Sequence, residues 1–238
     1  MKIQGSVALV TGSNRGLGKA LVSALLEAGA AKVYAAARDP RKVASDNPRV
    51  VPLALDTSKP EQIAAAASTA GDVTLLVNNA GVASAANVLT TTQAALDTDF
   101  GTNVYGTLAV IKRFLPVLER ARGGATIVNV LSLASLGSFP ALGGYSASKA
   151  AAYSVTQALR AELKEKHIEV LAALPGPIDT DMVKDLRIQK ASPTDVAKGV
   201  LAGVERGEED IFPDPMAVQM GALWQQSHKE YERAFASF

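Results

Sequence analysis

Residues 6–10 form a short apolar run that breaks into TGSNRGLG, and a helical pattern follows over residues 19–28. Strand, glycine-rich turn and helix in that order restrict the chain to α/β folds in which a nucleotide phosphate sits over the turn. Gly12, Gly16 and Gly18 let the backbone turn tightly, approach a pyrophosphate closely and pack the helix on the strand. The unpaired amides and dipole at the helix N-terminus favour an anion there. The spacing is Gly-x3-Gly-x-Gly rather than the common Gly-x-Gly-x2-Gly, so the motif draws its meaning from the units around it.

A second strand is expected over residues 32–38, KVYAAAR, about twenty residues beyond the glycines. An acidic residue at its end would bind the ribose 2'-hydroxyl of NAD, whereas an arginine accommodates a 2'-phosphate. This chain has Ala37 followed by Arg38, with Arg15 inside the glycine loop. Both bases favour NADP(H) over NAD(H), although Asp39 is close enough in sequence to serve as a ribose acceptor. Residues 50–55 read as a third strand ending at Asp56. That carboxylate either accepts from an adenine amino group or caps the turn with Thr57 and Ser58. A helix is expected over residues 60–70, and a fully apolar fourth strand over 73–77 suits the middle of a parallel sheet. It runs into NNAG, residues 78–81.

The chain has 238 residues, enough for one large α/β domain. With 24 basic against 23 acidic residues and no basic block, nucleic acid is not an expected partner. The absence of cysteine excludes disulfides, thiolate chemistry and cysteine metal sites. His167 and His228 are the only histidines, too few for a zinc triad, and no metal site is expected. The opening MKIQGSVALV has too short an apolar run for a signal sequence, and no later run approaches a membrane span. A soluble, cytoplasmic protein without a membrane partner is the expectation.

The chemistry concentrates in residues 129–149, NVLSLASLGSFPALGGYSASK, at the end of an expected fifth strand over 125–131. Ser132 lies at the carboxyl edge of that strand, where open α/β sheets bind ligands. Tyr145 follows thirteen residues later and Lys149 four residues after that. If this segment opens a helix, the i,i+4 spacing stacks phenol and ammonium on one face. A free phenol has a pKa of about 10. A cation about 4 Å away at an effective dielectric of about 20 favours the phenolate by roughly 4 kcal/mol, about three pKa units. Ser135 and Ser138 compete with Ser132 but stand at other distances from Tyr145. A serine-hydrolase reading fails, because neither histidine has a natural place beside Ser132.

TGSNRGLG after the first strand, NNAG after the fourth, and Ser132, Tyr145 and Lys149 together resemble the short-chain dehydrogenases/reductases, in order and spacing over nearly the whole chain. The resemblance implies a single-domain Rossmann fold: a doubly wound, mostly parallel seven-stranded sheet of order 3-2-1-4-5-6-7 flanked by helices. Residues 1–95 would mainly bind dinucleotide, and residues 96–238 would carry catalysis and substrate binding. The implied reaction moves a hydride between a nicotinamide and a carbonyl carbon. Ser132 hydrogen-bonds the carbonyl oxygen, Tyr145 exchanges its proton, and Lys149 lowers the phenol pKa and holds the ribose hydroxyls. Asn103, in NVYG on a long helix expected over residues 97–122, holds a water in the proton relay of that family. Pro116 is expected to bend this helix. After a sixth strand over 168–174 comes PGPIDTDM, where Pro175 and Gly176 break the strand beneath the nicotinamide and Thr180 meets its carboxamide. The cofactor-binding set is thus Gly12, Asn14, Arg15, Gly16, Leu17, Gly18, Arg38, Asp56, Thr57, Asn79, Ala80, Gly81, Tyr145, Lys149, Pro175, Gly176, Ile178 and Thr180. The catalytic set is Asn103, Ser132, Tyr145 and Lys149.

Asp179 and Asp181 read as helix caps rather than acid-base partners. Residues 182–191 form only a short segment where relatives keep a lid, which points to an open pocket and an exposed or bulky ketone. A capped helix over SPTDVAKGVLAGV and a short strand over 210–212 follow. Residues 215–238 carry Trp224, Tyr231, Phe235 and Phe238. The sequence leaves open whether these pack internally, line the pocket or meet another subunit. The leading expectation is an NADPH-dependent carbonyl reductase, reversible as an alcohol dehydrogenase. One alternative is a 3-oxoacyl-carrier-protein reductase, with Arg113, Arg120 and Arg122 as the basic patch. Another is an NADP-binding redox sensor without turnover. Relatives associate through their two long helices, so a homodimer or homotetramer is expected.

Overall fold

The apolar runs become strands of a parallel sheet whose central members are covered on both faces and so need no polar alternation. In the computed structural model, which describes residues 2–183 and 188–237, they are β1 (Val7–Thr11), β2 (Lys32–Ala37), β3 (Val50–Ala54), β4 (Leu75–Asn78), β5 (Ala125–Val130), β6 (Ile168–Ala173) and β7 (Asp210–Ile211). They pair in the order β3-β2-β1-β4-β5-β6-β7. Every pairing is parallel. This is the expected doubly wound Rossmann arrangement in one domain, and the strand order reverses between β1 and β4. The loops at the carboxyl ends of β1, β4, β5 and β6 therefore share one edge.

One face of the sheet is covered by α1 (Gly16–Glu27) and α6 (Pro193–Arg206). Leu21 and Leu25 of α1 and Val196, Val200 and Val204 of α6 join Val10, Val33 and Val128 in one core. On the other face, α2 (Pro60–Thr69), α4 (Thr107–Leu118) and α5 (Gly143–Leu163) set Ile63, Phe114 and Leu159 against Leu9, Leu76 and Ile127. Burying one such Leu or Phe contributes about 1.5–3 kcal/mol. Both layers thus hold the sheet's carboxyl edge in place.

Two expectations change. The single helix over 97–122 is instead α3 (Gln93–Phe100), a π-helical turn over Gly101–Gly106, and α4. Thr92 starts α3 by accepting from the Ala95 amide at 3.2 Å. The break comes from the π turn, which carries Asn103, whereas Pro116 falls in the last turn of α4. π turns are a local wide spot in a helix and recur at functional sites. Secondly, Arg120 and Arg122 lie just before β5, at the amino edge of the sheet, opposite the loops described above. They cannot form a basic patch beside a site at the carboxyl edge. The aromatic terminal segment, whose place the sequence left open, folds as α7 (Pro215–Gln226) and α8 (His228–Phe235); Tyr231 and Phe235 pack internally, Phe235 also lines the cleft, and Phe238 lies outside the described residues. Of the short lid segment, residues 184–187 lie outside the described residues. Among the described residues no helix is long and apolar enough to cross a membrane.

Candidate active site

A cleft of about 590 Å³ opens along the carboxyl edge of the sheet. Every residue of the sequence-derived cofactor set lines it, as do Ser132, Tyr145 and Lys149. Asn103 does not line it, but lies directly behind.

At one end is the glycine loop. Gly12 and Gly16 have φ of +67° and +52°, conformations that L side chains rarely adopt. At Gly18 a Cβ would run into the Gly12 carbonyl oxygen. Thr11, which the sequence reading passed over, ties this loop to its neighbour. Its Oγ1 accepts from the amides of Asn79 at 3.0 Å and Ala80 at 2.9 Å. Asn79 returns a bond from Nδ2 to the Thr11 carbonyl at 2.9 Å. The N-terminus of α1 has no side-chain cap, so its first amides are left for a ligand. Arg38 is exposed and lines the cleft; Asp39 does not. Asp39 is turned to Arg41, accepting from Nε at 2.9 Å and Nη2 at 3.1 Å. Asp56 both lines the cleft and caps its turn, accepting from the Ser58 amide at 3.0 Å and hydroxyl at 2.7 Å. Burial works against its charge, but those bonds, with Lys59 and Arg38 nearby, hold its carboxyl below the usual range. A backbone cradle with uncapped helix amides and Arg38 on the cleft wall fit a nicotinamide dinucleotide. Arg15, however, pairs with Asp181 at 3.1 Å, so the Asp181 carboxylate faces a base across the cleft mouth. Thr180 approaches the same loop, its methyl group 3.2 Å from where a Gly16 Cβ would stand.

The middle of the cleft holds the polar constellation. The Ser132 Oγ accepts from the Ala134 amide at 3.1 Å. Ser135 is buried outside the cleft and Ser138 is exposed, which removes both competitors. Tyr145 is half-buried with Lys149 one turn later on α5, the amine 5.8 Å from the ring centroid. Lys149 is 5% exposed and donates from Nζ to the Val130 carbonyl at 2.8 Å. Burial pushes the Tyr145 phenol up to about 12; a Ser132 hydrogen bond pulls it down, and the Asp99 carboxylate adds to the rise. Burial also pushes the Lys149 amine down to about 8. The expected lowering of the phenol by Lys149 is thus corrected. Withdrawal from water outweighs an amine that stands 5.8 Å from the ring and bonds to a carbonyl.

Asn103, 2% exposed, resolves the problem of an amide in mid-helix. Its Oδ1 accepts from the Val82 amide at 3.0 Å, and its Nδ2 donates to the Val82 carbonyl and to the Ser148 Oγ, both at 2.9 Å. The Ser148 hydroxyl donates in turn to the Tyr145 carbonyl at 2.7 Å. Asn103 thereby joins the loop after NNAG to the first turns of α5. Asp99, four residues earlier and fully buried, does the same one turn away. Its Oδ1 accepts from the Ser84 amide at 3.1 Å and hydroxyl at 3.0 Å. Its Oδ2 has no partner and lies 3.4 Å from where a Gly144 Cβ would stand. Burial raises the Asp99 pKa, the Ser84 bonds opposing.

Pro175 and Gly176 end β6 at the cleft floor, where the Gly176 amide donates to Asp214 Oδ2 at 2.8 Å. The other oxygen of Asp214 caps α7 at the Ala217 amide, at 2.9 Å. Beyond Ser132 the cleft turns apolar, with Phe139, Leu142, Met216 and Phe235 in its wall. Of these, Phe235 belongs to the aromatic set for which the sequence left a pocket-lining place open; Phe139, Leu142 and Met216 were missed, since nothing in their spacing marks them as neighbours of Tyr145.

The short chain dehydrogenase family model matches residues 6–191. A curated relative from Saccharomyces cerevisiae, described as NADPH-dependent 1-acyldihydroxyacetone phosphate reductase, is 35% identical over 187 residues. That match takes in 74% of this chain, which spans 62% of the relative's length. Among solved structures, a short chain dehydrogenase from Burkholderia cenocepacia in complex with NADP superposes with a TM-score of 0.93 at 38% identity, covering 99% of both chains. A 3-ketoacyl-(acyl-carrier-protein) reductase from Brucella melitensis, complexed with NADH, gives 0.79 at 28% identity over 90% of this chain and 93% of its own. With a family match across most of its length and the glycine loop, sheet order and Ser132–Tyr145–Lys149 cleft already in place, the chain belongs to the short-chain dehydrogenase family of oxidoreductases.

Proposed function

We propose that this protein is an NADPH-dependent carbonyl reductase that converts a ketone or aldehyde to an alcohol, and runs in reverse as an alcohol dehydrogenase. One observation carries the reading: Ser132, Tyr145 and Lys149 line the same cleft as the glycine loop. When bound there, NADPH supplies the hydride. The α1 amides and Gly12–Gly18 backbone hold its pyrophosphate, Arg38 its 2'-phosphate, and Lys149 its ribose hydroxyls. Arg15 is a second base for the phosphate once it leaves Asp181. Thr180, Ile178 and the Pro175–Gly176 turn take the carboxamide side.

Ser132 donates a hydrogen bond to the substrate carbonyl oxygen as negative charge builds on it. Tyr145 gives that oxygen its proton. A phenol pushed up to about 12 stays protonated at neutral pH, which suits an acid in the direction of reduction. Lys149, pushed down to about 8, exchanges protons near the working pH and returns one to the phenolate. Asn103 positions Val82 and α5 through Ser148, and a water on this route completes the relay to bulk. The preference for NADPH is supported by Arg38 on the cleft, by Asp39 being turned to Arg41, and by relatives described with NADPH and NADP.

Mixing the protein with NADPH and a panel of ketones and aldehydes, and following loss of nicotinamide absorbance, tests the reading. Turnover of at least one carbonyl compound is expected. Tight NADPH binding without turnover on any of them would instead indicate a sensor.

A further inference from the structure

The C-terminal helices end at the cleft. Tyr231 of α8 is fully buried, and its hydroxyl donates to the Leu133 carbonyl at 2.7 Å, one residue past Ser132. A buried aromatic with a satisfied hydroxyl is a firm anchor. Room for it exists only because residue 137 is glycine, where a Cβ would stand 2.7 Å from the Tyr231 ring. Tyr231 stacks on Phe235 with centroids 5.3 Å apart and planes at 15°. Phe235 in turn meets Phe139 edge-on, at 6.1 Å and 63°. Phe139 and Phe235 line the cleft, and so does Met216, which packs over the Gly176 backbone. The chain of contacts runs from the Ser132 loop, through Tyr231, to two rings and a thioether facing the space beyond Tyr145.

Resting on the carbonyl-reductase reading, we propose that this wall is a subsite for an aryl group attached to the substrate carbonyl, with Phe235 as its specificity-determining residue and Tyr231 as the anchor that sets its distance from Ser132. Phe139 and Phe235, each 8% exposed and set at 63°, turn what remains of their ring surface to the cleft, where an incoming ring meets them by edge or face, and the Met216 sulfur adds a polarisable contact. The occupant is an aryl ketone rather than a short aliphatic one, because a small alkyl group makes fewer contacts with the part of each ring that faces the cleft.

The experiment compares the protein with Phe235→Ala and Phe235→Leu on propiophenone and butan-2-one. For Phe235→Ala the ratio of kcat/KM for propiophenone over butan-2-one is expected to fall about tenfold, with Phe235→Leu between the two and NADPH affinity unchanged. An unchanged ratio in both variants would overturn the subsite. A second arm needs no turnover. Benzamide and acetamide, which the enzyme does not reduce, are titrated calorimetrically into the protein with NADP. Benzamide binding about tenfold weaker in Phe235→Ala supports the subsite. Equal benzamide binding in all three proteins rejects it. If benzamide binding depends on Phe235 but no ketone turns over, the subsite stands and the reductase reading falls.

Discussion

At the glycine loop the surface offered to a ligand is backbone: positive-φ glycines, free α1 amides, and a Gly18 that touches the Gly12 carbonyl. At the opposite end of the same cleft it is side chain: Phe139, Met216 and Phe235, held by one hydroxyl bond from Tyr231. The first surface has no slack, because a backbone position cannot repack around an added methyl group. The second can exchange one apolar group for another of similar volume with modest loss. Ser132 just after β5 and Tyr145 and Lys149 on α5 lie between. The difference teaches how one cleft keeps a fixed cofactor while its substrate end remains adjustable.

Changes at the two ends should therefore differ in kind. The largest effect is expected at the backbone end. Gly18→Ala should weaken NADPH binding about a hundredfold or more, or leave no soluble protein, because the methyl group meets a carbonyl that cannot move. Tolerance of alanine there, measured by fluorescence titration of NADPH, would erase the contrast. Arg38→Asp comes next. A base that makes charge-assisted bonds to a 2'-phosphate is worth about 1.5–3 kcal/mol, so the kcat/KM ratio of NADPH to NADH should fall about tenfold to a hundredfold. An unchanged ratio would remove Arg38 from cofactor choice.

The middle region is probed more gently. Asp99→Asn keeps an acceptor for Ser84 but removes a negative charge that raises the Tyr145 pKa. The group that titrates for alcohol oxidation is the phenol, whose deprotonated form accepts the proton. The rising limb of the oxidation profile should therefore move to lower pH in the variant, with reduction at pH 7 little changed. The groups acting on the phenol are Ser132 after β5, Lys149 on α5 and Asp99 on α3. A profile that does not move would make Asp99 purely structural. The smallest effect belongs to the side-chain end: Tyr231→Phe loses one buried hydroxyl bond, about 1 kcal/mol, or about 2–4 °C in Tm for a chain of this size. Differential scanning calorimetry reads it directly.

The same contrast explains what the sequence could and could not reveal. Glycines at fixed spacing after an apolar run encode a backbone conformation locally, so TGSNRGLG and NNAG were legible in the sequence, while the strand order followed only from the resemblance those motifs carry. Ser132, Tyr145 and Lys149 were legible because strand end and helix start lie close in sequence. Asn103 was recognised, but its π turn was not, since helical periodicity does not distinguish one extra residue in a turn. Asp99 and Thr11 were missed because nothing in composition marks a polar residue as buried. The place of the C-terminal aromatics stayed undecided for a simpler reason: Tyr231 bonds a carbonyl 98 positions earlier, and contacts of that separation leave no periodic trace. The pKa order of Tyr145 and Lys149 also escaped, since spacing gives proximity but not the depth of burial that decides the sign.

The central claim is that Tyr145 delivers a proton within a cleft shared with the nicotinamide cofactor. Single-turnover reduction of propiophenone by Tyr145→Phe, with NADPH affinity measured on the same sample, tests it most directly. The account predicts unchanged NADPH binding and a rate lower by about a hundredfold to ten-thousandfold. A rate equal to that of the unmodified protein, with the cofactor bound, would contradict it.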